Sequence, residues 1–252
     1  MVAGYTNSMG WDKKLIANHL KAAKKLDLIM SSVFKYIKNN PKTDEYQVQQ
    51  LILKEFKKHG VKMDNFTPIV AFRENTSHVH YHPSQYCKKL KPNSLILIDI
   101  WGRLNQPQSP YADITWMAYY GKKVPKELSQ AFELVIRARD ESINFVKQAL
   151  KKQKLPTGHD IDAVGRNIID HPGKTRRFLH GTGHELGFAS PHGLGRSISP
   201  RNKYSIKRSM GYTIEPGLYV KNKFGMRSEM NFYILGNKFI PTTKIQKKLI
   251  LL

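Results

Sequence analysis

From Lys13 to Ile37 apolar side chains recur every three or four residues, among them Leu15, Leu20, Leu26, Ile29, Val33 and Ile37. That spacing predicts one long amphipathic helix, stopped by Asn39, Asn40 and Pro41. A second helix of the same period is expected from Asp44 to His59, ending before Gly60. The period then changes. Pro68 to Phe72 reads as extended, and Ser94 to Trp101 (SLILIDIW) is a β-branched run expected to form a buried strand. Ala112 to Tyr119 is a further strand. A long helix returns from Pro125 to Lys152, with Pro125 suited to a first turn and a lysine cluster at the end. Asp160 to Ile169 predicts a shorter helix. Beyond it, glycine-rich turns separate short strands expected at Phe178–Leu179, Gly211–Glu215, Leu218–Val220 and Met230–Leu235. Helices followed by strands thus occur in both halves, without a sequence repeat or linker. The simplest description is one α+β domain over residues 1–252, its core running from about residue 13 to 245.

Composition narrows the setting. Hydrophobic residues make up 40% of the 252, enough for a packed core. No apolar run is long enough to span a membrane, and Met1 to Asp12 has no basic, apolar and small-residue succession of a leader. Cys87 is the single cysteine, which excludes an internal disulfide framework and fits a reducing, cytoplasmic setting. The charge is unusual: 42 Lys plus Arg against 19 Asp plus Glu, formally +23. Such an excess favours solubility and salt-sensitive, non-specific association with polyanions. The lysines are scattered in pairs, and no nucleic-acid recognition motif accompanies them.

Four acids stand where a core is expected. Asp99 lies inside SLILIDIW, Asp113 in YADITW, Glu215 in YTIEPGLYV and Glu229 in MRSEMNFYI. A carboxylate among apolar neighbours is costly unless paired or bound to a cation. One such acid could be a salt bridge; four beside a histidine-rich glycine loop call for another account. That loop, Phe178–Gly195, brings His180, His184 and His192 together in sequence. It is not the zinc-helix motif, because Phe188 stands where a second histidine is required, and its glycines miss the dinucleotide spacing by one residue. Oxygen ligands with one imidazole suit manganese, iron, cobalt or zinc. His78, His80 and His82 alternate before Pro83, which on an extended chain would place His80 opposite the other two.

The succession LILIDIW, YADITW, HGTGHELG, YTIEPGLY and MRSEM resembles the pita-bread metallopeptidases, the family of aminopeptidase P, prolidase and methionine aminopeptidase. The resemblance runs from about Lys13 to the C-terminus. It implies two αβ halves around a curved antiparallel sheet, with two divalent metal ions, manganese by family habit, at its centre. Asp99 would hold one ion, His184 and Glu215 the other, and Asp113 and Glu229 would bridge them. Glu215 would also act as general base on a water acidified by the pair. His80, His180 and His192 match histidines that orient substrate and stabilise the tetrahedral intermediate. Arg227 matches an arginine that steadies a ligand carboxylate.

HGTGH, TIEPGLY and the Arg-x-Glu ending look closest to the proline-specific branch, as does the WGRLNQPQSPYA insert between the two aspartates. The implied activity is release of N-terminal residues from short peptides at Xaa-Pro bonds. Methionine removal, general di- or tripeptidase action and a catalytically silent scaffold are the alternatives. Proline-specific relatives commonly carry an added N-terminal domain, for which this chain is too short. Three departures accompany the match. His192 comes one position late within SPHG, Met230 replaces a second acid, and Ile206-Lys-Arg-Ser-Met210 replaces Leu-x-x-Gly-Met.

Overall fold

The computed structural model describes residues 10–84, 87–170 and 177–252, so most of the Met1–Asp12 stretch lies outside the described residues. Helix α1 spans Lys13–Asn39, two residues beyond its last apolar anchor, with the Asp12 carboxylate accepting from the Leu15 amide at 2.8 Å. Helix α2 spans Glu45–His59; Asp44 caps its start, and Gly60 ends it at φ 61°, a left-handed turn that glycine adopts without strain. Both helices pack their apolar stripes against β3 (Ser94–Leu104) and its neighbours, as Leu26, Ile29 and Ile52 meet Ile96, Ile98 and Ile100.

Strand β3 is the spine of the first sheet. It pairs antiparallel with β1 (Val61–Lys62), β2 (Ile69–Phe72) and β4 (Ala112–Tyr120), while β12 (Ile250–Leu251) lies parallel to β4. The β3–β4 register sets Asp99 opposite Thr115 and Trp101 opposite Asp113. Side chains alternate across a strand. The pleat that turns Ile98, Ile100 and Ile114 toward the helices therefore turns Asp99, Asp113 and Thr115 to the other face.

The second half repeats the plan. Helix α3 (Lys126–Lys151) and helix α4 (Gly158–Ile169) pack on a five-stranded sheet of order β11-β10-β7-β5-β6. These strands are β5 (Gly183–Leu186), β6 (His192–Ile198), β7 (Gly211–Ile214), β10 (Met230–Leu235) and β11 (Lys238–Pro241). A hairpin of β8 (Gly217–Val220) and β9 (Phe224–Arg227) stands between. Pro125 sits at the N-cap of α3 rather than in its first turn, and Thr157 starts α4 through a capping box closed by Asp160.

Two local expectations fail. Phe178–Leu179 is not a strand: the Phe178 amide donates to Asp170 Oδ1 at 3.0 Å and its carbonyl accepts from Arg166 at 2.9 Å, so side chains take the groups a ladder would use. Nor are His78 to His82 an alternating extended run. A 3-10 turn over Arg73–Ser77 continues into a bend and turn at 78–80, closed by Thr76 and Ser77 hydroxyls donating to the Arg73 and Glu74 carbonyls.

Candidate metal centre

The two sheets meet where the Glu229 amide reaches the Thr115 carbonyl at 3.3 Å. At this seam the acids converge. Ligand atoms of Asp113, His184 and Glu229 all lie within 4.8 Å of one another, and each residue is buried. Glu215, at the end of β7, brings Oε1 to 3.3 Å from His184 Nε2; Asp113 Oδ2 is 3.7 Å from the same nitrogen. Asp99 enters from β3, where Arg227 grips its Oδ2.

His184 decides how these groups can coexist. Its Nδ1–H donates to the Glu185 carbonyl at 3.0 Å, which leaves the Nε2 lone pair turned toward the carboxylates. The short contacts alone would suggest a protonated imidazole paired with acids. Burial argues otherwise and pulls the His184 pKa down to about 4, so the ring is neutral at pH 7. A lone pair facing carboxylate oxygens is repulsive. The acids repel one another too: Asp113 and Glu229 are pushed well above the usual carboxylate range by burial and then by neighbouring acids, and Glu215 is raised by burial. Asp99 Oδ1 and Glu229 Oε1 are buried without a hydrogen-bond partner. Cations among these atoms would turn each unfavourable contact into a favourable one, so the donor set fits divalent metal.

The surrounding polar groups are tightly organised. Thr115 Oγ1 accepts from Arg227 Nε and donates to Glu229 Oε2, both at 2.9 Å. Arg227 Nη1 donates to Tyr219 Oη at 3.3 Å, and Tyr219 donates in turn to His180 Nε2 at 2.8 Å. His180 Nδ1 faces the Gly181 carbonyl at 2.8 Å, and burial lowers its pKa to about 3. Tyr219 is pushed up to about 12, chiefly by burial, so its hydroxyl keeps the proton it donates. On the other side, Thr213 Oγ1 accepts from the His184 amide and donates to Glu215 Oε1, each at 3.0 Å. This needs β5 and β7 very close: a Cβ on Gly183 would stand 2.2 Å from the Thr213 carbonyl oxygen. Asn231 clamps the Asp113 backbone through both its amide and its carbonyl.

His192, first residue of β6, lies beside His184 with ring centroids 4.3 Å apart and the rings tilted by 43°. His80 is exposed on a turn whose Val79 carbonyl accepts from Arg227 Nη1 at 3.5 Å, and its pKa is lowered by burial and then by the charge of Arg227. The turn bearing it is held from behind by Glu45 of α2. That buried carboxylate accepts from the Phe72 amide at 2.6 Å, Asn75, the Tyr81 hydroxyl at 2.7 Å and the Lys88 amide at 2.7 Å. His78 and His82 have no such relation to the acids. The His180 strap is held by α4: Arg166 donates to the Phe178 and His180 carbonyls, while its partner Asp162 accepts from the Thr182 amide and hydroxyl.

Sequence reading had not singled out Thr115, Thr213 or Asn231. Each stands two residues from Asp113, Glu215 or Glu229, and Arg227 is likewise two from Glu229. On extended chain that offset keeps side chains on one face, so polar residues flanking each buried acid at two positions were the available signal. Tyr219, Glu45 and the Asp162–Arg166 pair carried no local signal.

A model of metallopeptidase family M24 matches residues 17–235, a span that includes every acid and histidine of this centre. The chain belongs to metallopeptidase family M24. An uncharacterized peptidase of Staphylococcus epidermidis is 29% identical to this M24 chain over 232 residues, covering 92% of the chain and 62% of the relative. Among solved structures, a dipeptidase from Pyrococcus horikoshii superposes with a TM-score of 0.83 and 26% identity, over 97% of this chain and 64% of that one. A prolidase from Thermococcus sibiricus gives 0.80 and 29%, over 96% and 62%. The M24 chain thus spans a little over three fifths of these relatives' length. Its α+β halves, each a helix pair on a largely antiparallel sheet, are those of the pita-bread fold.

Proposed function

We propose that this chain is the catalytic domain of a metal-dependent exopeptidase that releases N-terminal residues from short peptides at Xaa-Pro bonds. The observation that carries the reading is the convergence of Asp99, Asp113, His184, Glu215 and Glu229, with a neutral imidazole lone pair and two unpartnered carboxylate oxygens among them. Asp99 would hold one of two cations, His184 and Glu215 would hold the other, and Asp113 and Glu229 would be shared by both. When bound, divalent cations of this kind lower the pKa of a water toward neutrality and polarise a carbonyl. Manganese is the proposed metal, with cobalt, iron or zinc as substitutes for an oxygen-rich set.

The chain's own residues supply the rest. Glu215 would take the proton of the attacking water as general base. His192 beside His184, and His80 on the turn that Arg227 reaches, would donate to the oxygen that gains charge at the scissile carbonyl. His180, with its Nε2 already engaged by Tyr219, orients the substrate through this polar chain rather than acting as a free base. Arg227 fixes Asp99 directly and Glu229 through Thr115. Xaa-Pro preference is supported by the prolidase among the similar structures and by the HGTGH and TIEPGLY strings. A reducing, cytoplasmic location is supported by the single thiol of Cys87, and among the described residues no helix is long and apolar enough to cross a membrane.

The test is hydrolysis of Xaa-Pro dipeptide and tripeptide, Met-Ala and Ala-Ala by metal-stripped protein, before and after addition of manganese. Metal-restored cleavage of Xaa-Pro is expected, and the favoured length separates dipeptidase from aminopeptidase. Rapid Met-Ala cleavage with none at Xaa-Pro would refute the specificity. No cleavage and no bound metal would refute the enzyme.

A further inference from the structure

The positive charge of this protein is not evenly spread. On α1, Lys14, Lys21 and Lys35 stand seven or fourteen residues apart, and Lys24 and Lys38 form a parallel row. Seven residues are close to two helical turns, so these rows run along one side of the helix. All five side chains are exposed, and none has an acidic partner within 4.0 Å among the described residues. The stripe from Lys14 to Lys38 is about 36 Å long at about 1.5 Å per residue. Exposed Lys54 and Lys57 on α2 extend the same outer layer.

Acids of this layer are all turned to other work. Asp12 and Asp44 cap the two helices. Asp27, the one acid within α1, faces Lys244 of the C-terminal segment. Glu45 is buried beneath the His80 turn, and Glu55 is buried beside His59 and Lys58. Bulk composition does not require this segregation. The exposed side of α3 mixes Glu127, Glu133 and Glu141 with Lys126, Arg137 and Lys147, as ordinary solvated helices do.

We propose that the outward face of α1 is a docking surface for the phosphodiester backbone of a nucleic acid. Unopposed lysines at regular intervals neutralise phosphates and release their counterions, a binding mode that needs neither a groove nor base contacts. An anionic membrane is the lesser match. The apolar side of α1 is consumed by the core, leaving only Leu20 and Leu28 exposed between the lysines, too little to bury in a lipid interface. The stripe lies across the β3–β4 sheet from the acids, so a bound polyanion leaves the peptide cavity open.

Two variants of equal net charge test the idea. One replaces Lys14, Lys21, Lys24, Lys35 and Lys38 with Gln; the other replaces the exposed Lys122, Lys123, Lys151, Lys203 and Lys221. Each loses five of the formal +23 charges, giving 23 − 5 = +18. Binding of a labelled DNA duplex and a single-stranded RNA, each about 20 nucleotides long, is followed by anisotropy across a salt series. The α1 variant should lose at least about tenfold in affinity near 0.1 M salt, with a salt slope shallower by about two to four, while the other variant changes less than about threefold. The relative loss on duplex and single strand identifies the source of the backbone. Equal losses in both variants, no binding by the unaltered protein at about 0.15 M salt, or α1-dependent binding to phosphatidylserine vesicles without nucleic-acid binding would each overturn the proposal. Dipeptide hydrolysis by the α1 variant should match the unaltered protein.

Discussion

Thr115→Val probes the centre with the least change of shape. Valine fills the same volume on β4 but lacks the hydroxyl that accepts from Arg227 Nε and donates to Glu229 Oε2. Thr115 is fully buried, so water cannot replace it. Each lost bond has a charged partner and is worth about 1.5–3 kcal/mol, so the pair together could reach about 3–6 kcal/mol. The lower end applies, about 3 kcal/mol, because Arg227 keeps Asp99 and Tyr219, and the Glu229 amide keeps the Thr115 carbonyl. Releasing Glu229 should also weaken metal binding by about 10–100-fold, the usual scale for groups that orient a ligand. Urea unfolding of the metal-free protein reads the first effect, and metal titration with turnover reads the second. Thr115→Ser keeps the hydroxyl and should recover most of the metal affinity. If Thr115→Val binds metal and turns over like the unaltered protein, the Arg227–Thr115–Glu229 chain does not organise the centre.

Three further outcomes are expected. His19 is fully buried between the Tyr111 carbonyl and Thr242, and burial pulls its pKa down to about 4. The folded state therefore binds fewer protons than the unfolded one between pH 6.5 and 4. The stability is present above pH 6.5 and is lost as pH falls toward 4, by about 3 kcal/mol. His19→Gln should flatten the acid limb of the unfolding curve relative to the unaltered protein, and an unchanged limb would contradict this. Gly183→Ala places a methyl group on the Thr213 carbonyl, and overpacking of about 1–3 kcal/mol should separate β5 from β7 and lower metal content; full metal occupancy by elemental analysis would show that the close approach is dispensable. Ser209, standing where the family pattern has glycine, is held at φ 57°. Ser209→Gly relieves that backbone and should raise stability by about 0.5–1 kcal/mol, whereas a lower unfolding midpoint would refute strain there.

Regular elements were legible because their order is local. Helices α1, α2 and α3 and strands β3, β4 and β10 carry their own period, and Asn40 and Gly60 mark ends in the sequence itself. Strands β5, β6, β9 and β11 are short and glycine-rich or exposed, and exist because a partner strand supplies the hydrogen bonds. Phe178–Leu179 shows the converse: an apolar pair whose backbone groups are claimed by Asp170 and Arg166. The buried acids were visible individually because a carboxylate in an apolar run violates the pattern around it. Of their partners, Arg227 is legible only through the family resemblance, since it reaches Asp99 across 128 positions, and Asn231, which reaches Asp113 across 118, is not legible at all.

The alternation of β3 and β4 joins these observations. One side of the pleat is committed to α1 and α2, and the face those helices turn outward is rich in lysine. The opposite side cannot be apolar throughout, because Asp99 and Asp113 occupy it, and it is completed instead by acids and a histidine from the second half. Neither half contains a whole centre. Residues from β3 and β4 meet residues from β5, β7 and the β9–β10 turn only when the two sheets are docked, and the Asn231 clamp on Asp113 is the fastener between them. A cation held at this seam would draw on ligands from both halves and so would favour the docked arrangement.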